Sequence, residues 1–357
     1  YVEKPMSRTV QEGVAMVKAA KTYGKVVQVG TQRRSDAGLN AVGEFIRARQ
    51  LGRVTHVHTV FYALRPAVKA ALPWYPDWLN YDRFCGPSPA VPLQRENLHY
   101  DWHWMWDTGN GELGNNGVHV LDLAFALLKE NRAPRRVMAM GGRYGVNDGM
   151  ETPNSMFVVY DYPGCPIFFE NRGLPAKPGV NYSDNHLGIR AGTIVHCEGG
   201  YVTALTGATA YDFRGKRVRQ FESDGGVAHM DNFLQAIRKN APSAVNAPPA
   251  VGHLSASVCH YGNISYRLGT RNAPGAPGDR LATFQAAAPL LENFQRHLRA
   301  NDVDLAREPL VQGPWLFLNE QNDDIVHLDP GDGQLHLQAR YLLRETHRVP
   351  YHLKSLA

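Results

Sequence analysis

The chain has 357 residues, 43% apolar and 20% charged, which suits a globular protein with room for two domains and a large core. Thirty-eight Lys and Arg against thirty-three Asp and Glu give a net charge of +5 that is spread along the chain. This excludes the clustered basic and aromatic surface of a nucleic-acid binder, and Arg132-Ala133-Pro134-Arg135-Arg136 is too short to make one. No apolar run nears the roughly 20 residues of a membrane span. Cys85, Cys165, Cys197 and Cys259 stand far apart with no C-x-x-C, so they read as reduced, buried thiols rather than a zinc or thioredoxin motif. The chain opens at Tyr1 without a Met or a signal peptide, which leaves cytoplasm and periplasm both open.

Tyr1-Val2 is strand-like and closes on Glu3-Lys4-Pro5. Ser7-Arg8-Thr9 offers a helix cap; Val10, Val14, Met16, Val17 and Ala20 form an apolar face, and Gly24 stops the helix. Val26 to Val29 is a short apolar strand ending at Gly30, so residues 1–30 carry the β-α-β pattern of a parallel sheet. A second helix runs from Gly38 to Gln50. Val54 to Tyr62 is a strand by its β-branched and aromatic content. Pro66 to Trp106 is a proline-rich aromatic loop holding Trp74, Trp78, Trp102, Trp104 and Trp106. Gly117–Leu128 is helical, and strands follow at Arg136–Met140, Ser155–Tyr160, Ile167–Glu170, Thr193–Cys197 and Tyr201–Leu205. Helices at Met230–Arg238 and about Ala250–Leu268, a linker at Pro274–Gly278, a helix near Phe284–Leu298 and a mixed tail complete the chain. The layout is the end of an α/β domain joined to a large α+β domain.

The one G-x-G-x-x-G, Gly109 to Gly114, lacks the apolar strand before it and the acidic residue after the next strand that a dinucleotide fingerprint needs, so it reads as a turn before a helix. In that helix Asn115, His119 and Asp122 stand at i, i+4 and i+7 on one face. The asparagines are natural caps. His119 is either a structural histidine or a proton acceptor suited to neutral pH. Lys4 is either a surface lysine or a donor to a developing oxyanion. Gln32 and Arg33 end the adjacent strand, so they and Lys4 are expected to face one crevice. His229 reads as a cap, and His253 and His260 as core histidines, with no metal site. The tryptophans, Trp106 among them, could stack on sugar rings or fill a core or an interface.

Together, Glu3-Lys4-Pro5, Val29-Gly30-Thr31-Gln32-Arg33-Arg34 and Gly111 to Asp122 resemble the Gfo/Idh/MocA family, which includes glucose–fructose oxidoreductase and inositol dehydrogenases. Residues 228–234, 251–256 and the tail Arg344-Glu345-Thr346-His347-Arg348-Val349-Pro350-Tyr351 share the resemblance. It implies a Rossmann domain binding NAD or NADP and a large open, mostly antiparallel sheet with helices on one face. The first would retain only its C-terminal remnant, residues 1–36, making the chain a fragment; the second would span 37–357, with 271–357 as an extension. Lys4 and His119 become the catalytic pair. Glu3, Lys4, Pro5, Gln32 and Arg33 become cofactor contacts, and Asn115, Asn116, Asp122 and Trp106 substrate contacts. Asn115 stands where the family often has Asp. The implied reaction is oxidation or reduction at a secondary hydroxyl of a sugar or cyclitol. Redox-neutral cleavage through a keto-sugar and non-catalytic sugar binding remain as alternatives. Two further expectations are homo-oligomerisation through the sheet and the absence of nucleic-acid or membrane partners.

Overall fold

The computed structural model describes residues 1–273, 275–319, 323–345 and 347–351. Pro274 of the expected linker, Thr346 of the tail motif and the last six residues of the expected extension lie outside these. The first helix, α1 (Val10–Tyr23), starts at Thr9 with a capping box. The Thr9 side chain accepts from the Glu12 backbone N–H, and the Glu12 carboxylate accepts from the Thr9 N–H at 3.0 Å. It stops at Gly24, whose φ of 55° favours glycine. The two flanking strands reduce to one parallel bridge between Val2 and Val29, with the Gly30 N–H donating to the Val2 carbonyl at 2.8 Å. Val29 donates instead to the Ala247 carbonyl, so the pair does not extend into a ladder.

Helix α2 (Ala37–Arg47) is capped by Asp36, and β1 (Val54–Tyr62) matches its sequence pattern residue for residue. The aromatic loop is more ordered than expected. It contains a two-stranded antiparallel pair, β2 (Ala70–Trp74) with β3 (Leu93–Arg95), the short α3 (Tyr81–Cys85), and a 3-10 turn at Asp101–Trp104. A π turn, Leu113–Gly117, leads into α4 (Val118–Leu128). Strands β4 (Arg136–Gly142), β5 (Ser155–Asp161), β6 (Ile167–Arg172), β7 (Ala191–Cys197) and β8 (Gly200–Leu205) follow. Strands β9 (Gly207–Asp212) and β10 (Arg217–Phe221) were not foreseen; four of the five β10 residues are exposed, so the chain shows little apolar pattern there. Helices α5 (Ala228–Arg238), α6 (Pro249–Arg267) and α7 (Ala287–Ala300) come next. The tail resolves into β11 (Val311–Gln312), β12 (Trp315–Asn319), β13 (Asp324–Asp329) and α8 (Gly333–Arg344).

Eleven strands form one sheet in the order β10-β9-β8-β7-β1-β6-β5-β4-β12-β13, with β11 also pairing with β4. Among the described residues, only the β1–β6 pair in this sheet is parallel. One face carries Val57, Ala139, Val158, Phe169, Val195 and Val202, packed on α2, α4, α6 and α8. The expectation of helices on one face needs correction. Met138, Met140, Phe157, Val159 and Phe168 turn to the other face and pack on Leu290, Leu291, Phe294 and Leu298 of α7. These strands are apolar on both faces, and the second face has to be buried as well.

Beside α7 that second face turns polar. His58 meets Glu170 at 3.0 Å, and Arg172 bonds Glu170, Asp184 and Asn293 of α7. Burial pushes the Glu170 carboxyl up, but Arg172 and then His58 outweigh it and hold it down at about 2. His56 stacks on His196 with ring centroids 4.2 Å apart, and His186 meets the edge of His58. Burial pushes His56 and His186 down to about 4, and His196 and the α6 residue His260 to about 3, with neighbouring histidines adding to each shift.

The unfolded chain therefore binds more protons than the folded one from about pH 6.5 down to these values. Stability is complete above pH 6.5 and falls as the solution is acidified toward pH 4, by about 1.4 kcal/mol per pH unit for each proton taken up. Thermal unfolding at pH 7.5 and pH 5 measures this; an equal or higher melting temperature at pH 5 contradicts it.

Candidate active site

Lys4 follows the Val2–Val29 bridge and precedes a cis peptide at Pro5. Its side chain crosses to the π turn, where its ammonium donates to the Asn115 backbone carbonyl and, at 3.3 Å, to the Asn115 Oδ1. Two glycines let this turn sit where it does. A Cβ on Gly114 would lie 2.3 Å from the Asn110 Cβ, and one on Gly117 would press into the Phe169 ring of β6 at 2.9 Å. π turns of this kind are common at functional sites. The G-x-G-x-x-G follows the 3-10 turn and enters the π turn, so the strand a nucleotide fingerprint needs is not before it.

Lys4, Asn115, His119 and Arg33 come together. His119, half-buried in the first turn of α4, is pushed down to about 3 by burial, then by the cations of Lys4 and Arg33. Its ring holds no hydrogen bond among the described residues. Burial lowers Lys4 as well, with Glu112 countering in part and Arg33 adding to the fall. Arg33 sits in the 3-10 turn Gln32–Ser35, where its Nε donates to the Leu205 carbonyl at 3.2 Å; burial lowers its pKa. Gln32 is exposed at the start of that turn. Glu3 is also exposed, and a Cβ on Gly30 would lie 2.9 Å from its carboxylate. Lys4 and Arg33 thus both act on the His119 imidazole, but neither Gln32 nor Arg33 lines the cleft that Lys4 lines.

The other named residues are placed differently. Asp122 points away from the crevice. Its carboxylate accepts from the Arg34 Nε at 2.9 and 3.0 Å and from the Ser255 hydroxyl of α6 at 2.7 Å, and its side chain is 2% exposed. The i+7 spacing does face one side of the helix, but that side turns into α6 one turn beyond His119. Asn116 donates to Glu112, which Arg65 holds through two bonds of 2.8 and 3.1 Å. Trp106 lies under the Arg267 guanidinium, 5.1 Å from it, in a small cavity with His260 and Glu345 rather than beside Lys4. His229 is buried between the Ser35 hydroxyl at 2.7 Å and the Val29 carbonyl at 3.0 Å, and is structural as read.

Lys4 lines a cleft of about 290 Å³ whose opposite wall is Trp102 and His103. Trp102 is among the tryptophans read as able to stack on a sugar or fill a core, and His103 is not singled out by the sequence. A larger cleft of about 810 Å³ opens at the ends of β1, β7 and β8 and includes Leu205, the residue Arg33 bonds, but not Lys4 or His119. The smaller cleft holds Lys4 and Asn115 together, and His119 is in the lining of neither.

Residues 59–184 match the family model described as the oxidoreductase family, C-terminal alpha/beta domain, of Gfo/Idh/MocA proteins. The match runs from within β1 to the loop after β6, with α4 and His119 inside it. The fold is shared with a candidate NADPH-dependent oxidoreductase from Desulfitobacterium hafniense, 15% identical, at a TM-score of 0.53 over 74% of this chain and 69% of that one. It is shared also with the candidate oxidoreductase yvaA from Bacillus subtilis, 15% identical, at a TM-score of 0.50 over 73% and 69% of the two chains. No curated protein matches the sequence. No helix among the described residues is long and apolar enough to cross a membrane.

Removing a cation beside an imidazole makes protonation easier. Lys4→Met is therefore expected to raise the His119 pKa, and Arg33→Met to raise it less. An NMR titration of the His119 ring measures both; a value unchanged or lower in Lys4→Met contradicts the arrangement.

Proposed function

We propose that the protein is an NAD(P)-dependent oxidoreductase acting on a secondary hydroxyl of a sugar or cyclitol. The observation that carries this is a neutral, unbonded His119 beside Lys4. The residues present fit the reacting end of a nicotinamide cofactor. The Asn115 Nδ2 is a buried donor without a partner, and Gly30 lets the Glu3 carboxylate and the Tyr1 hydroxyl lie close against the strand end. Glu3, Lys4, Pro5, Gln32 and Arg33 would hold that end, and the cofactor when bound supplies hydride transfer. The neighbour from Desulfitobacterium hafniense, described as NADPH-dependent, agrees with a nicotinamide but does not choose between NAD and NADP for this chain.

His119 takes the hydroxyl proton. An ammonium has three donors; with two on Asn115, Lys4 keeps one for the substrate oxygen as charge develops on it. Asn115 and Asn116 position the ring. Asp122 acts through Arg34 and Ser255 to fix α4 against α6 rather than by touching substrate. Two copies pair through β7–β10, the part of the second face that α7 leaves open.

A sugar and cyclitol panel with each nicotinamide, followed by reduced-nicotinamide absorbance, tests the reaction. His119→Ala is expected to lower kcat by about 100- to 10,000-fold, the usual range for a general base. No turnover of any panel member, or full activity in His119→Ala, contradicts it. Chromatography of products under flat absorbance would favour the redox-neutral alternative.

A further inference from the structure

We propose that the site takes a saccharide of at least two rings, with an aromatic subsite for the second ring beside Lys4. This deepens the oxidoreductase reading and rests on it for which ring reacts. Trp102 and His103 stack on one another, with centroids 3.7 Å apart and planes 20° from parallel, and this pair forms the wall of the Lys4 cleft. The rings continue outward. Tyr100 lies 4.7 Å from His103, and the next residue along, His99, lies 5.9 Å from Trp78. Tyr100 is 49% exposed and Trp78 62% exposed. A series of aromatic rings therefore runs from the Lys4 cleft to solvent.

The polar groups on this path suit a neutral saccharide. A carbonyl can only accept, so the His103 Nδ1 carries the hydrogen it gives to the Tyr100 carbonyl at 2.5 Å. Burial lowers the His103 pKa, which leaves its Nε2 an acceptor for a hydroxyl. The C–H faces of a pyranose pack on indole while its hydroxyls reach such acceptors. A nucleoside diphosphate would need cations for its phosphates. Two arginines at this wall are already paired, Arg8 with Glu345 and Arg65 with Glu112, which leaves Lys4 with its one spare donor as the only other cation among the described residues in the lining of the cleft. Arg65 also covers the Tyr100 and Trp104 rings at 5.7 and 5.2 Å. The free aromatic surface is thus Trp102 with His103, and Trp78 beyond.

The test is a titration of the full chain with cellobiose, lactose and maltose against glucose and galactose, and with uridine diphosphate, read by tryptophan fluorescence and calorimetry. A disaccharide is expected to bind more tightly than its monosaccharide. Trp102→Ala is expected to weaken disaccharide binding by about 3- to 10-fold, the range of one aromatic stacking contact, and to leave monosaccharide binding unchanged. Trp102→Phe should restore most of it. Trp78 is exposed, so Trp78→Ala keeps the test valid if Trp102→Ala unfolds; a loss confined to longer saccharides, read with maltotriose and maltotetraose, is expected there. Equal affinity for one ring and two, an equal loss for both in these variants, or tighter Trp102-dependent binding of uridine diphosphate would overturn the proposal. Trp102-dependent disaccharide binding without turnover of any sugar would sink the oxidoreductase reading and leave the subsite standing. Turnover of monosaccharides with no preference for two rings would do the reverse.

Discussion

The Lys4 ammonium bound to Asn115 is the contact on which the rest of the site depends. It joins two segments 111 residues apart, the strand end at Val2 and the π turn before α4. Breaking it would free both a half-buried cation and a buried carbonyl, each costly to leave unpaired. The π turn in turn fixes the first helical residues of α4, and so the direction of His119. A second tie, from Arg34 to Asp122 and on to Ser255, anchors the far side of that turn to α6. The imidazole stands between the two, so its position is set by contacts that it does not itself make.

The sheet supplies the platform and explains why these ties hold. Phe169 on β6 packs against Gly117, and the Thr193 hydroxyl on β7 donates to the Val120 carbonyl at 2.7 Å. The π turn and the first turn of α4 are thereby seated on the ends of central strands, where little can shift. The second face is different. Near β4–β6 it is apolar under α7, and beside it the histidines and the Glu170–Arg172 pair replace apolar contacts with a paired polar set. Glu170 and Arg172 keep their charges far into acid, but the histidines are buried neutral and resist the protons that the unfolded chain takes up, so the same face that widens the core also makes the fold sensitive to acid.

Much of this was legible in the sequence where a local signal decided the outcome. Thr9 and Gly24 marked both ends of α1, and the β-branched run marked β1 to the residue. The lysine and histidine were picked out because a strand end and a helix start each expose polar groups. What failed to show depended on partners far along the chain. Asp122 shares a helix face with His119, yet Arg34, 88 residues away, decides where it points. The period of α7 shows that it buries one side but not which face of the sheet receives it. Trp106 and Trp102 are alike in a tryptophan-rich run, and only the fold puts one under Arg267 and the other beside Lys4.

In the proposed reaction the low proton affinity of His119 counts against it as a base, since a weak base accepts protons poorly. Burial is the larger cause of that low affinity, and the cations that add to it answer part of the objection. Lys4 and Arg33 destabilise an imidazolium, but a positive field also stabilises an alkoxide, so the hydroxyl's pKa falls along with that of the histidine. What sets the ease of transfer is the gap between the two, not either value alone. A substrate oxygen hydrogen-bonded by Lys4 gains more from that lysine than the ring loses, because it touches the ammonium while the ring feels it at a distance. The arrangement therefore narrows the gap, and it does so only for a group that reaches the third donor of Lys4.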